Sequence, residues 1–110
     1  MAVGMLLAGE MVTRDVYRDV TEKMFGTFPM REEDSPDGLI LHTAGETPQG
    51  FYVYDVWESQ GHFERFVESK LGPALAAIGA GTAGARPEPV FYPIETMVKG
   101  PALAAAALAR

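Results

Sequence analysis

The sequence predicts an α+β domain with the element order β-α-β-β-α-β, and three observations carry that prediction. A short apolar segment at the N-terminus precedes a helical repeat of apolar residues. Two β-rich runs lie close together in mid-chain, and a second helical repeat leads to a last β-rich run. With 110 residues the chain has room for one hydrophobic core.

Met1 to Leu7 alternates Val3, Met5 and Leu7 with Ala2, Gly4 and Leu6, so it reads as a strand covered on both faces. Thr13 can cap a helix whose first turn carries Asp15 and whose apolar set is Val16, Tyr17, Val20 and Met24. Gly26 supplies its stop. Thr27 to Gly38, with two prolines and the acids Glu32, Glu33 and Asp34, reads as an exposed loop that could reach the mouth of a pocket. Leu39 to Ala44 and Phe51 to Trp57 are β-rich, and the residues between them predict a hairpin with a turn longer than the tightest kind.

After Trp57 the period becomes helical. Ser59 is the expected N-cap, with Phe63, Phe66, Val67 and Leu71 on one face. Pro73 lacks an N–H and should interrupt this helix at Gly72, opening a second short helix in which Ala74, Leu75 and Ile78 continue the buried face. Gly79 to Pro87 reads as a loop, and Val90 to Val98 as a last strand that Pro89 and Pro93 mark as an edge or a bulge. The domain is expected over residues 1–98, with residues 99–110 an alanine-rich tail.

This order is that of a ferredoxin-like sandwich with an antiparallel sheet. Its helices cover one sheet face only, so two copies pairing their open faces would complete the cover, and a homodimer is expected. The nine Lys and Arg against fifteen Asp and Glu give a formal charge of −6, which argues against nucleic acid as a partner. The first eight residues lack a basic flank and stop at Gly9-Glu10, so neither a signal peptide nor a membrane span is read there, and a cytoplasmic setting is expected. The absence of Cys removes disulfides, thiolate nucleophiles and Cys-ligated metals.

The segment Tyr54-Asp55-Val56-Trp57-Glu58-Ser59, followed by Phe63, Phe66 and Leu71-Gly72-Pro73-Ala74-Leu75, resembles the dimeric α/β-barrel superfamily. It is similar to small members related to the antibiotic biosynthesis monooxygenases, and Leu39 to His42 also fits. The resemblance implies two ferredoxin-like domains pairing into a barrel. It does not select a reaction, because the superfamily includes cofactor-independent oxygenases, polyketide cyclases, heme-degrading enzymes and isomerases. Heme-degrading members use an Asn on the first strand and a Trp and a His on the long helix. Here Phe66 and Ala76 fall where that Trp and His would be, and Ala2 to Leu7 holds no Asn, so this branch is disfavoured. A heme site using His42 or His62 instead stays open.

The reactive side chains are few. If Gly45 pairs with Gly50, His42 faces Val53 and lies diagonal to Asp55, and His42, Asp55, Trp57 and Ile40 share one sheet face. A carboxylate beside an imidazole fixes its tautomer and supports the imidazolium, so His42 and Asp55 are the catalytic candidates. Against this stand a merely hydrogen-bonded sheet histidine and an Asp55 satisfied by backbone N–H groups or by Arg14, Arg18 or Arg65. Trp57, Tyr17, Phe63 and Phe66 are the substrate-binding candidates, with the Trp57 N–H free to meet a ligand oxygen, although core packing is the plainer role for such aromatics. Tyr52 and Tyr54 fall on the opposite, dimer-facing side, and His62 reads as a solvated surface residue. No metal spacing is persuasive and no cofactor is called for.

Two functions remain. One is a cofactor-independent monooxygenase, cyclase or isomerase acting on an aromatic or polyketide-like substrate, in which His42 removes a proton. The other is non-catalytic: a protein that binds a small molecule or docks its alanine-rich tail on another protein, or a stress or housekeeping domain whose pocket is filled by side chains. An open apolar space beside His42 is the feature that favours chemistry or binding over a filled interior.

Overall fold

The computed structural model describes residues 1–9, 12–79 and 88–103. Strand β1 spans Val3–Ala8, helix α1 Arg14–Phe25, β2 Leu39–Thr47, β3 Gly50–Trp57, α2 Gln60–Phe66, α3 Gly72–Ala77 and β4 Val90–Pro93. The strands form one antiparallel sheet in the order β2-β3-β1-β4, the ferredoxin-like arrangement. The residues 80–87 of the expected loop and 104–110 of the expected tail lie outside the described residues.

Local chemistry sets the helix ends. The Thr13 hydroxyl accepts from the Val16 N–H at 3.1 Å, and Gly26, at φ +78°, returns its N–H to the Glu22 carbonyl. The Ser59 hydroxyl accepts from the His62 N–H and starts α2. Gly72-Pro73 does not break the second helix as expected. Backbone angles stay helical from α2 into α3, and Val67–Leu71 forms a widened turn in which the Gly72 N–H reaches back five residues to the Val67 carbonyl. One widened turn absorbs the proline's missing donor and ring bulk. A Cβ at Gly72 would sit 2.8 Å from that carbonyl oxygen, so only glycine fits there.

Two strand expectations need correction. The hairpin is tight: Thr47 pairs with Gly50, leaving only Pro48 and Gln49 in the turn, because β2 continues through Gly45 to Thr47. The last strand ends at Pro93 instead of Val98, and its final ladder bond, from the Ile94 N–H to the Ala2 carbonyl, lies where β1 begins. Pro93 sits on an edge strand, where no further neighbour needs its missing N–H.

The core lies between helices and sheet. Met5 and Trp57 are each 1% exposed, and Phe63 packs edge-on against both Trp57 and Phe91 at ring-centre distances of 5.5 and 5.6 Å. On the other sheet face Tyr54 lies over Gly4 and Tyr52 over Gly45, while Leu41, Val90 and Tyr92 are exposed.

Candidate functional site

The tight turn moves the β2–β3 register by two residues from the expected pairing. Ala44, not His42, faces Val53, and His42 stands directly opposite Asp55. A shift of two keeps each side chain on its expected face, so the two remain together. A bulge does occur, but between Leu39 and Leu41, beyond the His42–Asp55 pair. It turns Ile40 out to solvent and puts Leu39 against the core in its place, correcting the expectation that Ile40 shares the His42 face.

Four side chains from three elements form one hydrogen-bonded chain. The His42 Nδ1 lies 2.7 Å from Asp55 Oδ1, the Trp57 Nε1–H donates to Asp55 Oδ2 at 3.1 Å, and the Tyr17 hydroxyl lies 2.6 Å from His42 Nε2. Asp55 is thus satisfied by His42 and Trp57 rather than by an arginine; Arg18 instead pairs at the surface with Asp15 and Asp19. The Trp57 N–H expected to meet a ligand is committed to Asp55, which leaves its ring as pocket wall.

The proton arrangement follows from the partners. Burial, and then the Asp55 charge, push the Tyr17 phenol up to about 12, so it is a neutral O–H donor at neutral pH. In the neutral form of the ring, Nδ1–H donates to the Asp55 carboxylate and the Tyr17 O–H donates to Nε2. Phe28 and Phe51 hold the Tyr17 ring edge-on and tilted, at 5.8 and 5.2 Å.

Beside this chain lies a cavity of about 660 Å³ between the helices and the sheet. Tyr17, His42 and Asp55 line one part of it, and its walls include Met5, Leu7, Val20, Met24, Trp57, Phe63, Phe66 and Phe91. The predicted substrate-binding residues Tyr17, Trp57, Phe63 and Phe66 therefore surround one space with His42 and Asp55. The widened turn contributes Val67, Glu68 and Leu71, and the Thr27–Gly38 loop contributes Met30 and Pro36. The acids of that loop point elsewhere: Arg31 binds Asp34 through two nitrogens, which holds the Asp34 carboxyl below its ordinary range.

His62 corrects another expectation. Its Nδ1 meets the Ser59 hydroxyl at 2.8 Å and its ring packs so closely on Gly38 that a Cβ there would be 2.3 Å away. It is half-buried and structural, and it is not among the residues lining the cavity. Sequence reasoning placed Tyr17 in the pocket but missed its bond to His42. The signal was its position on the inward stripe of α1. No group of three or more His, Cys, Asp or Glu suited to a metal ion occurs among the described residues. Nor is any helix among them long and apolar enough to cross a membrane.

No protein-family profile matches the chain, and no curated relative is similar in sequence. The solved structures similar to it include one from Chloroflexus aurantiacus J-10-fl, of a protein assigned by name to the antibiotic biosynthesis monooxygenases. The likeness covers 91% of this chain and 100% of that one, with a TM-score of 0.52 and 14% identity. At that identity the likeness establishes the fold alone: the two chains share the ferredoxin-like arrangement of one antiparallel sheet with its helices.

Proposed function

We propose that the protein is a cofactor-independent small-molecule enzyme in which the His42–Asp55 pair, reached through Tyr17, takes an acidic proton from an aromatic or polyketide-like substrate. The observation that carries this reading is the hydrogen-bonded chain Tyr17–His42–Asp55 at the wall of a large apolar cavity. An apolar pocket with convergent titratable groups is the expected setting of proton chemistry. Asp55, 5% exposed, would stabilise the imidazolium formed when His42 takes the proton. The carbanion or oxyanion left behind would rearrange in a cyclase or isomerase. In an oxygenase it would itself reduce dioxygen. The likeness to the Chloroflexus protein agrees with this class and leaves the choice among these reactions to the substrate.

The open sheet face supports a homodimer. Leu41, Val90 and Tyr92 are 37%, 47% and 52% exposed on it, and pairing of two such faces would cover them.

The test is proton exchange. The protein in deuterated buffer should speed deuterium incorporation beside the carbonyl of 2-tetralone, a neutral bicyclic ketone small enough for the cavity, and His42→Gln should remove the effect. Equal exchange by the variant would overturn the assignment of His42. The second reading, a binding protein without turnover, draws on one observation: among the described residues no buried side-chain N or O lacks a partner, so Tyr17, His42, Asp55 and Trp57 satisfy one another. It predicts ligand binding with no exchange in either protein.

A further inference from the structure

The bond between Tyr17 and His42 raises a question of proton direction. While His42 is neutral, its one lone pair at Nε2 is taken up by the Tyr17 O–H, and Nδ1–H is directed to Asp55. The imidazole then offers nothing to a ligand. Tyr17 lines the cavity beside His42, and its oxygen, with its proton committed to Nε2, keeps only lone pairs to offer. Protonation of His42 reverses the bond: Nε2–H donates to the Tyr17 oxygen, and the phenol proton is free to turn toward the cavity.

We propose that the Tyr17 hydroxyl is the atom that meets a ligand here, and that His42 sets the sense of the contact. Toward the ligand Tyr17 is an acceptor while His42 is neutral and a donor once His42 is protonated. The first state selects ligands bearing a hydroxyl and the second admits ligands bearing only a carbonyl. A carbonyl ligand can draw the Tyr17 proton in the first state only by leaving Nε2 unpaired in a partly buried site, which is costly. This inference rests on the reading of Tyr17, His42 and Asp55 as one proton-transfer unit, and it goes beyond it by giving the unit a ligand preference that depends on the protonation of His42.

The transfer balances without another reagent. A hydroxyl ligand gives its proton to the Tyr17 oxygen as the Tyr17 proton passes to His42 Nε2. One O–H bond forms and one breaks on Tyr17, an N–H bond forms on His42, and the ligand oxygen keeps the electron pair. The oxyanion then accepts from Tyr17, and the imidazolium lies against the Asp55 carboxylate. The groups facing His42 are Asp55 from β3 and Tyr17 from α1. Glu64 from α2 and Glu68 from the widened turn are the other acids lining the cavity; both are exposed side chains at its rim.

The experiment measures binding of 1-tetralol and 1-tetralone, a matched hydroxyl and carbonyl pair that stays uncharged, by ligand-observed NMR across the pH range over which the ring nitrogen shifts of His42 show it gaining its second proton. The preference for the alcohol over the ketone should rise about tenfold across that range, the size of one hydrogen bond gained or lost. Tyr17→Phe and His42→Gln should each bind both probes with a preference that does not change with pH. Three results would overturn the proposal: a flat preference in the unaltered protein, a pH-dependent preference that survives in Tyr17→Phe, or no binding of either probe. A flat preference together with His42-dependent exchange of 2-tetralone would end this proposal alone and leave the proton-transfer reading standing.

Discussion

His42 and Asp55 face each other as a directly opposed pair on neighbouring antiparallel strands, with Nδ1 2.7 Å from Oδ1. Cross-strand pairs are the closest side-chain neighbours a sheet provides, so the orientation of the imidazole is built into the backbone register rather than into a loop. The Trp57 N–H fixes the second carboxylate oxygen, and with it the plane of the Asp55 carboxyl.

Asp55→Asn keeps the shape of this pair and removes its charge. The amide oxygen can still accept from Trp57, and its NH2 then faces His42 Nδ1, so the ring must give up its Nδ1–H tautomer or leave two donors opposed. Chemical denaturation should show a loss of about 1–3 kcal/mol, the size of the charge-assisted hydrogen bond that is removed. Proton exchange should fall together with stability.

Tyr17 makes a distinct prediction at alkaline pH. Its folded-state pKa lies near 12 against an ordinary value of 10, so the folded protein holds this proton more tightly than the unfolded chain does. The stability it contributes is complete below pH 10 and is lost as the pH rises toward about 12. In a spectrophotometric titration, the difference between the unaltered protein and Tyr17→Phe should show one phenol ionising near 12. A difference curve centred at 10 would remove the burial and the Asp55 charge as its causes.

Gly38 precedes β2 at φ +87°, and a Cβ there would strike the His62 ring. Gly38→Ala should therefore lower stability by about 1–3 kcal/mol, from the left-handed backbone and the displaced ring together. The double variant with His62→Gly should recover only the steric share, which thermal melts of the four proteins would separate.

The homodimer is tested at its proposed face. Leu41→Arg with Tyr92→Arg places two charges on the exposed sheet surface and leaves the cavity untouched. A native mass spectrum should show a dimer for the unaltered protein and a monomer for this variant. A monomer in both would refute the pairing of open faces.

Much of the fold was readable because the apolar periods were clean. Val16, Tyr17, Val20 and Met24 repeat at helical spacing, and all four line the cavity as that stripe requires. Thr13, Gly26 and Ser59 stand where their capping chemistry acts. The turn length was misread because Gly45-Glu46-Thr47 looks like loop, whereas the small Gly45 continues the strand beneath the Tyr52 ring. The helix break at Pro73 was misread because the widened turn depends on backbone accommodation, which no residue period announces. The pairing of His42 with Asp55 survived the register error because a two-residue shift preserves faces. The helical stripe put Tyr17 on the inward side, but its bond to His42, 25 residues away in the chain, depends on tertiary placement that no residue period announces.

The most direct test of the site is the proton state of His42, read from the nitrogen-15 shifts of its ring at neutral pH, with His62→Gln to assign the two histidines. The neutral form of the ring should carry its proton on Nδ1, beside Asp55, and that tautomer preference should be lost in Asp55→Asn. A proton on Nε2 in the neutral ring would contradict it, because Tyr17 could then no longer donate to His42 and the chain from Tyr17 to Asp55 would not carry a proton in the proposed direction.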